Sequence, residues 1–146
     1  METLLKFSKT TTESSLKNTI DELHQEAILW SSQLKFALFE LNFSKNLIDS
    51  YAFEPKTANS FLLLQEFKSQ NEKLLQENPI LEDEVKKHEN SLGSTFEYLD
   101  TTTDSSHYKN HQYLKARIEK HVLGFETLKA EIFDYCEHVL RYNKRP

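Results

Sequence analysis

Leu16, Ile20, Leu23, Ala27, Trp30, Leu34, Ala37, Leu41, Ser44, Ile48 and Tyr51 follow one another at alternating steps of four and three residues. Steps averaging 3.5 residues line up one narrow apolar seam on a long helix, and such a seam is buried only against other helices of comparable length. Ser44 alone interrupts the pattern. The helix is predicted over about 13–52, with Thr10 and Glu13 at capping-box spacing before it. It should stop short of Glu54-Pro55, because the residue preceding a proline is pushed out of helical geometry.

Two further segments carry related seams. Residues 57–99 place Leu64, Phe67, Asn71, Leu74, Asn78, Leu81, Val85, His88 and Leu92 on one line, a seam with several polar members. Phe61, Leu63, Leu75, Phe96 and Tyr98 widen its apolar face. Residues 107–142 place His111, Leu114, Ile118, His121, Phe125, Leu128, Ile132, Tyr135 and Val139 in the same alternation. Between them Asp100 to Ser106 is a run of Asp, Thr and Ser, side chains that compete for backbone hydrogen bonds and then cap the next helix.

Pro79 is the one internal challenge to this reading. Asn78-Pro79 followed by Glu82, Asp83 and Glu84 also fits a new helix start. The seam nevertheless keeps its phase across the proline, Pro79 falls opposite it, and there are no spare residues for a reversal. The expectation is an all-α, elongated antiparallel three-helix bundle with the second helix kinked at Pro79, the alternative being a four-helix bundle. With only two glycines and three prolines among 146 residues, little material remains for hairpins, and the length suits one domain spanning 1–146. The layout resembles the spectrin-type three-helix repeat, which also sets a tryptophan in the seam of its first helix, here Trp30; no diagnostic motif accompanies the likeness.

Counting along antiparallel helices brings three histidines to similar heights: His24, His88 and His121, with Glu84 one turn before His88. Three imidazoles and a carboxylate would suit zinc, iron or copper. The competing expectation is that seam histidines are packing residues whose nitrogens bond neighbouring groups and set register. Glu-x-x-His, the signature of di-iron bundles, does not occur. By the same count Asn71 stands level with Glu40 and Tyr135, and Asn78 level with Gln33, so each amide should find a partner across the core. Cys136, beside the seam, is expected to be an inert small hydrophobe.

A second candidate lies on the outside of the first helix. Leu29, Phe36 and Phe43 recur every seven residues about 130° from the seam, with Phe39 and Ile28 close by. They should stay exposed and form an interface, unless the N-terminal Leu4, Leu5 and Phe7 cover them. A net charge of -5 disfavours nucleic acid and anionic membranes as partners. One cysteine and an N-terminus without a cleavage-like site point to the cytoplasm. Neither a phosphate-binding glycine loop nor a nucleophile elbow is present. The expected function is therefore a non-enzymatic protein–protein interaction or scaffold module, self-associating through Leu29, Phe36, Phe39 and Phe43, without a cofactor. The alternative is a metal-binding bundle.

Overall fold

The computed structural model describes residues 12–50, 53–98 and 104–143. Thr10, the segment with Leu4, Leu5 and Phe7, and the side chains of Glu13, Leu16, Tyr51, Phe96 and Tyr98 lie outside the described part. Three helices make up the fold: α1 (Thr12–Ile48), α2 (Ala58–Tyr98) and α3 (Asp104–Asn143). At 1.5 Å per residue each spans roughly 55–60 Å. All three pairs of helices touch, with α1 and α2 in the most extensive contact.

The 3.5-residue rhythm survives translation into burial. Along α1, Ile20, Ala27, Trp30, Leu34, Ala37, Leu41, Ser44 and Ile48 are all buried, and along α3 so are His111, Leu114, Ile118, His121, Phe125, Leu128, Ile132 and Tyr135. Fully burying a side chain the size of leucine contributes about 1.5–3 kcal/mol, so the phase of each helix is set by the sum over its seam.

The α2 helix is continuous through Pro79, which sits on the exposed side, so the four-helix alternative is set aside. A proline there withholds one backbone bond from Leu75 without forcing its ring into the core. At its start, Thr57 Oγ1 accepts from the Ser60 amide at 3.0 Å and its carbonyl accepts from the Phe61 amide, an N-cap that fixes where α2 begins.

α1 ends at Ile48, four residues before the predicted boundary at 52. The Ser50 amide bonds the Leu47 carbonyl and the Phe53 amide bonds the Ser50 carbonyl, tight turns that tuck Phe53 into the end of the core. Burying that ring outweighs a further turn of helix. α3 begins at Asp104, three residues before the expected His107.

Register is fixed by polar contacts as much as by packing. Asn71 Nδ2 donates to the Leu41 carbonyl at 3.0 Å and Asn78 Nδ2 to the Leu34 carbonyl at 2.8 Å, so seven residues forward in α2 match seven backward in α1. That is an antiparallel pairing. Ala37 lies between the two acceptors, and its small side chain lets the helices come close enough for an amide to reach backbone. Between α2 and α3 the pairs His88–His111 and Asn78–His121 repeat the relation, ten residues back against ten forward. α1 and α3 consequently run parallel, as Glu26–His111 and Glu40–Lys129 show.

Candidate functional site

The interior near the α2–α3 connection holds a chain of hydrogen bonds that crosses the bundle. Asn110 Nδ2 lies 3.1 Å from His88 Nδ1, His88 Nε2 lies 2.9 Å from His111 Nδ1, and His111 Nε2 lies 2.9 Å from Glu26 Oε1. The carboxylate can only accept, so His111 carries its proton on Nε2 and offers Nδ1 as acceptor. His88 must then donate through Nε2, leaving its Nδ1 to accept from Asn110. One neutral tautomer of each ring satisfies every link. Trp30 closes the layer, its ring stacked on His111 with centroids 4.4 Å apart.

The electrostatics favour these neutral forms. His88 is pushed down to about 4 by burial, then by the neighbouring His111 and His107. His111 is also lowered, chiefly by burial and in a smaller part by Lys115, although the bond to Glu26 and its charge pull the other way. His121 sits in a separate layer, its Nε2 donating to Asn78 Oδ1 at 2.8 Å. Asn78 spends its two N–H groups on the Leu34 carbonyl and on Glu82 Oε1, which fixes the orientation of the amide. Burial lowers His121 too, opposed by Glu77, and its Nδ1 has no partner among the described residues.

The expected quartet of His24, His88, His121 and Glu84 does not assemble. His88 bonds His111, His121 bonds Asn78 ten residues along each helix, Glu84 is ion-paired with Arg117, and His24 lies beside Gly93, its Nε2 3.7 Å from where a Cβ would stand. Among the described residues, no group of three or more His, Cys, Asp or Glu is placed to hold a metal ion. The error in height is traceable. With α3 starting at Asp104, every residue on it stands three positions further along than a start at His107 gives, which carries His121 away from the level of His88 and brings His111 towards it. His111 was visible as a seam residue; the missing signal was the length of the connection.

Asn71 and Asn78 bond backbone carbonyls one residue beyond the levels of Glu40 and Gln33 that counting gave. Cys136 is buried and its thiol is pushed up by that burial, away from the thiolate form that attacks electrophiles. Tyr135, also raised by burial and then by Cys136, donates its hydroxyl to the Phe53 carbonyl at 3.2 Å.

Outside, α1 presents the aromatic stripe. Leu29 is 55% exposed, Phe36 58%, Phe39 71% and Phe43 54%, with Ile28 beside them. Leu29 also lines an open cleft of about 320 Å³ between α1 and α3, with Glu26, Lys115 and Leu123 among its other walls. None of the helices among the described residues is long and apolar enough to cross a membrane. Comparison with protein-family models, curated proteins and solved structures finds no match for this chain.

Proposed function

We propose that this bundle is a non-enzymatic interaction module that pairs with a second copy of itself through the outer face of α1. The observation that carries this reading is the exposure of Leu29, Phe36, Phe39 and Phe43 on one helix face, apolar area that water penalises and a partner would cover. Three of the four recur at seven-residue spacing, so the stripe is complementary to itself when two copies meet about a two-fold axis. An adaptor or scaffold role follows, with α2 and α3 free to present other surfaces. The interior supports a structural rather than a catalytic reading, since its buried histidines are engaged by Asn and Glu side chains and by each other.

Sedimentation velocity at tens of micromolar tests the pairing. Wild type should sediment as a dimer, and the Phe36→Glu, Phe43→Glu double variant as a monomer with unchanged helix content by circular dichroism. A monomeric wild type would overturn the proposal.

A further inference from the structure

All the side-chain hydrogen bonds described at the end of the bundle near the α2–α3 connection that tie α3 to its neighbours run through histidines or charged side chains. His111 reaches Glu26 on α1 and His88 on α2; Asn110 reaches His88; Ser91 lies 3.3 Å from His107; Arg117 pairs with Glu84. One layer further along, His121 reaches Asn78. The opposite end is different in kind. There α3 is held by Leu128, Ile132 and Tyr135 packed against Ile48, Phe53, Leu64 and Phe67, and its described polar ties are the Tyr135 phenol on the Phe53 carbonyl and the Lys129–Glu40 ion pair, neither of which involves an imidazole. The α1–α2 pair is tied by Asn71 and Asn78 amides, which do not titrate in this range.

We propose that the bundle is an acid-opened device, in which mild acidity releases residues 106–121 of α3 from α1 and α2 while the apolar end stays closed. The geometry supplies the trigger. A proton added to His111 Nδ1 would face the His88 Nε2–H across 2.9 Å, turning a bond into a clash of two donors, and a second proton on His88 would place two positive charges side by side. A proton added to His121 Nδ1 would be a buried N–H without an acceptor among the described residues. The groups facing the pair decide how far this goes. Glu26 on α1 tolerates a charge on His111, whereas His107 and Lys115 on α3 oppose further positive charge; on α2, Lys87 and Glu84 line the cleft beside His88, Glu84 being held by Arg117 of α3. On α2, Glu77 likewise partly tolerates a charge on His121.

The sign follows from the depressed folded values. Above about pH 6.5 both closed and open forms hold these rings neutral and the device stays shut. As pH falls through 6.5 the open form takes up protons that the closed form resists, and this continues for His88 until about 4. His88 alone then raises the opening constant about tenfold between pH 7.5 and 5.5. His111 and His121 act in the same direction.

Hydrogen–deuterium exchange on the full chain at pH 7.5 and 5.5, corrected for intrinsic exchange, reads the opening by segment. Protection over 108–121 should fall at least tenfold at the lower pH, with less than a threefold change over 128–135. Trp30, the one tryptophan of the chain, should shift its emission to longer wavelength over the same range as it leaves the stack on His111. A smaller fall, or an equal fall at both ends, would overturn the proposal. A folded His88→Gln, His111→Gln double variant should lose most of the pH response, and full retention would also refute it. If that variant does not fold, the wild-type exchange data decide.

Discussion

The two ends of this bundle solve one problem by different means. Near the α1–α2 turn the core is almost wholly apolar: Ile48, Phe53, Leu64, Phe67, Leu128 and Ile132 interlock, and Tyr135 sets its ring edge-on to Phe67 with centroids 5.8 Å apart. Near the α2–α3 connection, Leu81, Val85, Leu92, Leu114 and Ile118 share the core with His88 and His111. Apolar packing is indifferent to two-turn slips along a regular seam, because every seventh residue offers another hydrophobe. Hydrogen-bonded layers are not, since a slip leaves a buried donor without its acceptor. The histidine end therefore specifies alignment and the apolar end supplies adhesion.

Truncation should expose this division. Ile132→Ala opens a cavity in a site with no exposure and should cost about 3–4 kcal/mol by urea denaturation. A loss below about 1 kcal/mol would mean that the apolar end is not the adhesive one. Asn78→Ala strands the His121 Nε2–H and removes the tie to the Leu34 carbonyl, for a cost of about 2–3 kcal/mol.

Tyr135→Phe deletes a single hydrogen bond at the apolar end and should lower stability by about 1 kcal/mol. Asn71→Leu should do least, within about 1 kcal/mol of wild type in either direction. Its amide makes one bond, to the Leu41 carbonyl, and its Oδ1 has no partner among the described residues, so an apolar side chain of similar size loses little. Equal costs at Asn71 and Asn78 would show that backbone ties, rather than the histidine layer, set the difference.

Much of the fold was legible because it rests on summed burial. Each seam residue votes for the same helix phase, so one serine at position 44 or one proline at position 79 does not change the result. Heights across the bundle rest on a few loop residues instead. Asp104, Ser105 and Ser106 suit a loop or the first turn of a helix equally, and those three positions are enough to move His111 a turn away from the level of the partner it meets. The aromatic stripe was readable as a pattern of spacing, and its exposure follows from the phase. The acceptors of Asn71 and Asn78 were not readable to the residue, because a backbone carbonyl carries no side-chain signature.

The claim beneath both the register and the acid response is that three buried imidazoles are neutral and locked in one tautomer by their partners. Long-range proton–nitrogen correlation spectra of the imidazole rings at pH 7 observe this directly. His88, His111 and His121 should each appear as a neutral ring protonated on Nε2, with separate nitrogen shifts for the two ring positions. Rings that average between tautomers, or that carry a positive charge at that pH, would contradict the account.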